Sequence, residues 1–134
     1  LLNQFPFIFS RSLKLMMKSS RYLLSWIYLG FAIAGAIFPT LANIDFISLY
    51  GPKFDINQFI YLANINPAAQ SLSRDLFIGA GAVTVWIISE ARRLNMRNLW
   101  LVISSFLIAF AFAAPLFLFL RERRLIEIDK TEMK

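Results

Sequence analysis

The chain has no cysteine and no histidine. Without cysteine there is no disulfide, no thiolate chemistry and no cysteine-ligated metal. Without histidine there is no imidazole acid–base pair and no axial histidine for haem. Charge is scarce: Asp, Glu, Lys and Arg make up 16% of the residues, against roughly 25% in an average globular chain. Motifs of nucleotide binding and hydrolytic catalysis are missing too. There is no GxGxxG, no P-loop, no Ser/His triad and no deaminase pattern. No internal repeat is visible, and 134 residues suffice for one domain.

What the chain has is apolar surface. Hydrophobic residues reach 58%, with 14 phenylalanines. A small soluble domain buries only a limited share of its area and could not hide this much. Lipid is the solvent that would accept the surplus. The formal charge of +6 does not form a folded stripe. The basic residues sit at the ends of apolar runs, which fits lipid head groups and not nucleic acid.

Two runs are long enough to cross a hydrocarbon core of about 30 Å. The first is residues 22–44, "YLLSWIYLGFAIAGAIFPTLANI", with Pro39 positioned to kink or end it. The third is residues 99–120, "LWLVISSFLIAFAFAAPLFLFL", with Pro115 near its end and "RERR" stopping it. The middle run, Leu76 to Ser89, is short alone. It extends backwards to a start where Asn66 caps and Pro67 takes the first helical position, giving a span over 67–90. In the first loop "DINQ" reads as a capping box. Behind it Ile56, Phe59, Ile60 and Ala63 share one helical face, predicting an interfacial helix over 55–64. The expected fold is all-α: an integral membrane protein with three transmembrane helices and this short helix in the first loop.

The expected organisation has three parts. Residues 1–21 form a basic, amphipathic segment, with residues 1–15 on the membrane surface, or a leader ahead of Met17 if the native product starts there. Residues 22–122 form the membrane domain. Residues 123–134 form a charged, solvated helical tail. Arg11, Lys14, Lys18 and Arg21 precede the first span, and Arg92, Arg93 and Arg97 follow the second. The positive-inside rule puts both on the cytoplasmic or stromal side. Three spans would then put the C-terminus outside, against the charge of "RERR".

The polar stretch "SEARRLNMRNLW" reads as the bend between spans two and three. Arg92 and Arg93 favour the helix C-terminal dipole and Glu90. Asn95 supplies a left-handed turn, Arg97 faces anionic head groups and Trp100 anchors the next helix. Glu90 and Arg93 are i, i+3 neighbours. Asp75 opens span two within the membrane and needs water or a partner. Asp75 and Glu90 lie roughly 22 Å apart along one helix and cannot share a metal. Small residues offer faces for packing inside the bundle or for docking to a larger membrane complex: Gly30 and Ala34 in span one, Gly79 and Gly81 in span two, Ser105, Ala109 and Ala113 in span three.

Residues 22–122 resemble the DUF2834 family of small integral membrane proteins, common in cyanobacteria. "ARRLNMRNLW" (91–100) and "APLFLFLRE" (114–122) carry the resemblance, with Asp75 opening span two and Glu90 ahead of the arginines. Ala91 and Asn95 stand where the family usually has glycine. The resemblance implies a three-span protein with no assigned activity, and its cyanobacterial leaning points to a photosynthetic membrane. The expected role is a non-catalytic subunit or assembly factor of a larger membrane complex, such as a photosystem or antenna in a thylakoid or cytoplasmic membrane. No cofactor is required; chlorophyll, carotenoid or lipid contacts follow if it belongs to a photosystem. The partners are then the bilayer and that complex, not nucleic acid. The alternative is a small transporter or proton-handling protein using Asp75 and Glu90.

Overall fold

A computed structural model describes residues 5–132, with side chains from residue 13 onward except Lys14 and Lys18. Five helices follow in order: α1 (Phe5–Tyr50), α2 (Ile56–Leu62), α3 (Pro67–Arg93), α4 (Leu99–Ser105) and α5 (Phe110–Thr131). Among the described residues there is no strand, so the chain is all-α. Of the amphipathic surface segment expected over residues 1–15, residues 5–15 belong to α1, and residues 1–4 lie outside the described residues.

Two helices are long and apolar enough to cross a membrane. They are the Leu15–Tyr50 part of α1 and Pro67–Arg93, whose most apolar 18-residue stretches have mean hydropathy 1.7 and 1.3. Only 6% of the most apolar stretch of each is buried within the chain. Phe38, Leu49, Leu72, Phe77 and Ile78 all stand exposed. The core helix of a soluble protein has the opposite arrangement, its apolar side facing inward.

Local chemistry accounts for most helix ends. Asp55 Oδ1 accepts hydrogen bonds from the Asn57 and Gln58 amides, 2.9 and 3.2 Å, and starts α2. The helix is shorter than the expected 55–64. Asn66 Oδ1 accepts from the Ala69 amide at 2.9 Å, with Pro67 first in α3. At the far end of α3 the Asn95 amide bonds to the Arg92 carbonyl and the Met96 amide to the Ala91 carbonyl. This is the paired closure of a Schellman motif. Asn95 holds φ 49, the left-handed conformation the motif demands. Pro39 does not end α1, which runs on to Tyr50.

The third apolar run departs from expectation. Residues 99–120 are not one helix: α4 stops at Ser105 and α5 starts at Phe110. The turn between them closes on itself. The Leu107 amide bonds to the Ser104 carbonyl at 3.1 Å, and the Ile108 and Ala109 amides share the Ser105 carbonyl at 3.1 and 3.2 Å. Ser104 and Ser105 hydroxyls also donate back to the Trp100 and Val102 carbonyls, at 2.8 and 2.6 Å. Such back-bonding competes with the helical ladder and bends helices. Ala109 is then fully extended, φ −168 and ψ 147, so the chain changes direction before α5.

The direction of α5 follows from its contacts. Phe117 meets the Trp86 ring edge-on, centroids 5.4 Å apart. Arg121 reaches Glu90. Arg124 reaches the Leu94 carbonyl. The register rises on both helices, so α5 runs parallel to α3. Helix α4 goes back along α3 for seven residues, about 10 Å, and α5 returns. Asn98 and Leu120, on either side of the run, line one cleft. The run therefore ends where it began, and the C-terminal segment lies at the same end as the Arg92–Arg97 hairpin, not opposite it.

Helix α1 packs against α5 more extensively than any other pair. Gly35 meets Ala111, while Arg21 meets Glu122 and Asp129. The register falls along α5 as it rises along α1, so the two are antiparallel. The core lies between α3, α4 and α5, where Ile87, Ala91, Val102 and Phe117 cluster. Helix α5 runs unbroken through the boundary expected at residues 122/123. Within the charged tail Ile126 is buried while Arg123, Glu127 and Lys130 stand exposed, so its helix has one packed side and one open side.

Candidate functional site

Three helices bring charge together at one end of the bundle. Glu90 sits in the last turn of α3, where the helix dipole disfavours a carboxylate. It is only 7% exposed. Arg93, one turn on, compensates with two bonds of 2.7 Å, one to each carboxylate oxygen. Arg121 of α5 adds a third at 2.8 Å. A fork of this kind is the strong form of an ion pair, fixing geometry as well as charge.

The chain of pairs continues outward. Arg121 also donates to its neighbour Glu122 at 2.9 Å. Glu122, 4% exposed, faces Arg21 of α1 at 3.5 Å. Arg21 in turn lies 3.6 Å from Asp129. Arg93, Glu90, Arg121, Glu122, Arg21 and Asp129 thus alternate in sign across α3, α5 and α1. Two arginines here also lie over aromatic rings: Arg121, within the row, is 5.9 Å from the Trp86 ring, and Arg123, beside it, is 5.9 Å from that of Tyr22. Arg124 donates to the Leu94 carbonyl at 3.1 Å, satisfying an open group at the end of α3. Among the described residues no buried side-chain polar atom lacks a partner. A network satisfied this completely holds helices in register.

The other predicted residues are distributed less evenly. Asp75 stands exposed near the opposite end of α3 and makes no ion pair among the described residues. It does not come near Glu90. Arg92, Arg97 and Trp100 are exposed around the hairpin. Among the described residues no group of three or more acids could hold a metal ion.

Only part of the small-residue set packs within the chain. A β-carbon at Gly30, Gly79 or Gly81 would meet nothing within 4 Å. These glycines pack no helix inside the chain. Ser105 and Ala113 are buried, Ala34 and Ala109 half-buried. Because the helix breaks between them, Ser105, Ala109 and Ala113 do not form one stripe. The packing face of α1 is Ser25, Ala32 and Gly35, offset from Gly30 and Ala34. Its spacing of seven and three was present in the sequence, among several other small residues of the same run. Arg21, Arg121, Glu122 and Arg124 were not foreseen as site residues. Their pairing depends on the return of α5, which composition does not announce.

The fold and the site define an all-helical protein with two helices of membrane-crossing length and apolarity, tied at one end by a three-helix ionic row. The sequence profile of a family described as a protein of unknown function, DUF2834, matches residues 27–123. The chain belongs to the DUF2834 family. The matched region holds Glu90, Arg93, Arg121 and Glu122, and leaves Arg21 and Asp129 outside. No curated protein and no solved structure matches the chain.

Proposed function

We propose that this protein is a small, non-catalytic integral membrane subunit or assembly factor of a larger membrane complex, in a photosynthetic membrane. Helices α1 and α3 cross the bilayer, and α4–α5 enters and leaves it on one side. The observation that carries this reading is the outward apolar surface, with only 6% of the most apolar stretch of either long helix buried. Such a surface is stable only against lipid or another apolar protein.

The charge distribution supports the orientation. Arg21, Arg92, Arg93, Arg97, Arg121, Arg123 and Arg124 gather at one end, against Lys53 and Arg74 toward the other. Two spans with a re-entrant hairpin satisfy the positive-inside rule without the conflict that three spans create. The cytoplasmic or stromal side then holds the N-terminal segment, the Arg92–Arg97 hairpin and the C-terminal segment. The tip of the hairpin suits membrane depth. Leu107 is 90% exposed and apolar, and the amides of residues 106–109 are bonded within the turn, as backbone away from water requires.

The alternative, an ion- or proton-handling protein using Asp75 and Glu90, has less support. The two carboxylates lie about 22 Å apart along one helix, and Glu90 is held by two arginines. The test of the subunit reading is a native gel of membranes solubilised in mild detergent. The expected result is migration with a larger complex, pigmented if it is a photosystem or antenna. Migration as a small, pigment-free band overturns it.

A further inference from the structure

We propose that the cleft between the Asn95–Asn98 hairpin and α5 is a binding site for a negatively charged phosphate group, supplied by the head group of an anionic phospholipid. The cleft has a volume of about 440 Å³, and Arg97, Asn98, Leu120, Arg123, Arg124 and Glu127 are among its lining. Two chain segments far apart in sequence build it, so it exists only because α5 returns to the hairpin.

Its charge is not balanced from within. Arg124 is engaged, donating to the Leu94 carbonyl and to Glu127 at 3.3 Å. Glu127 is thereby spent on Arg124. Arg97 and Arg123 form no salt bridge among the described residues. Arg21, Arg93, Arg121 and Arg124, at the same end, are all paired with carboxylates. Arg92, also without a salt bridge among the described residues, does not line the cleft, so Arg97 and Arg123 are the cleft's arginines without a carboxylate partner, Arg123 lying against the Tyr22 ring. Guanidinium groups recognise phosphate through paired N–H donors. Asn98 adds an amide that makes no capping bond of its own.

The apolar side of the cleft argues for a lipid. Met96 and Leu120 line it beside the arginines, and both pack on the core of α3, α4 and α5. Trp100 stands 64% exposed just beyond, the position an interfacial indole takes at head-group level. Basic pockets between membrane helices on the cytoplasmic side hold anionic head groups in this way. The lipid source rests on the membrane reading above; the phosphate chemistry of the cleft does not.

The test uses the full chain reconstituted into phosphatidylcholine nanodiscs, with phosphatidylglycerol added in steps and lipid retention read by native mass spectrometry. Failure to enter phosphatidylcholine nanodiscs sinks the membrane reading and is seen before any anion is added. The expected result is preferential retention of phosphatidylglycerol. The Arg97→Gln/Arg123→Gln variant weakens it about thirtyfold, each arginine contributing roughly the fivefold of a basic side chain near an anionic surface. Lys53→Gln, which removes one charge elsewhere, leaves retention unchanged. Neither arginine carries a salt bridge, so the double variant should fold; an unchanged circular dichroism melt verifies this, and Arg97→Gln alone serves if it does not. Inorganic phosphate is the second probe. Binding of phosphate without preference for phosphatidylglycerol keeps the phosphate site and overturns the lipid as its source. Equal retention of both lipids with no phosphate binding, or no loss in the double variant, overturns the site.

Discussion

Gly35 of α1 lies so close to the carbonyl of Ala111 in α5 that a β-carbon on Gly35 would overlap it and would stand 2.8 Å from the Phe112 amide nitrogen. Proline follows each residue by four positions. Pro115 has no N–H for the Ala111 carbonyl, and Pro39 has none for that of Gly35. Helices α1 and α5 therefore cross where each has a carbonyl released from its ladder. Close backbone approach of this kind is how membrane helices associate when lipid removes the hydrophobic drive between them.

Gly35→Ala is expected to force α1 and α5 apart, at a cost of about 1–3 kcal/mol as in other overpacked sites. Gly30→Ala is the matched control. It lies five residues away on the same helix with open space around it, and should be neutral or slightly stabilising, since alanine is the better helix former. Thermal unfolding in detergent compares the two. Equal melting temperatures for both variants would show that the crossing at Gly35 is not tight.

Glu90→Gln and Asp129→Asn test the ionic row from its two ends. Glu90 is buried and accepts from two arginines. Its loss leaves Arg121 with Glu122 alone. The expected cost is roughly 2 kcal/mol, below the about 3–5 kcal/mol of a fully buried pair because Arg121 keeps that partner. Asp129 has a side chain 45% exposed and faces Arg21 at 3.6 Å. Its removal should cost less than about 1 kcal/mol, the range of surface pairs. Melting curves at low and high salt separate them, and a larger loss for Asp129→Asn would reverse the assignment of which pairs matter.

Asn95 offers a backbone test. Its φ of 49 is accessible to glycine without strain and to alanine only at a cost. Asn95→Gly should retain full stability. Asn95→Ala should lose about 1 kcal/mol, the lower part of the left-handed penalty. Hydrogen exchange at the Asn95 and Met96 amides, which close the end of α3, would speed up in the alanine variant alone. Equal exchange in both variants would mean that the turn tolerates any residue.

These residues also show what a sequence can carry. Asn66, Pro67, Asp55 and Asn95 act on their own neighbours, so their signals are local and readable. The length and polarity of a run are equally local, and α1 and α3 were legible for that reason. The path of residues 99–120 was not. An apolar run states that a segment avoids water and says nothing of its direction, so one span and two shorter legs have the same composition. The signal available was the adjacent Ser104 and Ser105, whose hydroxyls bend a helix. The ionic row was hidden by the same error. A C-terminus on the far side keeps Arg121 away from Glu90, and only the return of α5 brings them together.

That return has a direct test, which the absence of cysteine makes clean. Single cysteines introduced by Lys53→Cys, Arg97→Cys and Lys130→Cys each provide the sole thiol in the protein. Lys53 lies in the loop after α1, Arg97 in the hairpin and Lys130 near the end of α5. All three are exposed, so a membrane-impermeant maleimide should reach each from the side it occupies. With α1 and α3 as spans and α4–α5 re-entrant, Arg97→Cys and Lys130→Cys label from one face of sealed vesicles and Lys53→Cys from the other. A third complete span would put Lys130→Cys with Lys53→Cys instead. Labelling of all three from both faces would remove the membrane from the account. The first pattern is expected, because only a chain that comes back to its starting side allows Arg121 to bond Glu90 while Arg21 holds Glu122.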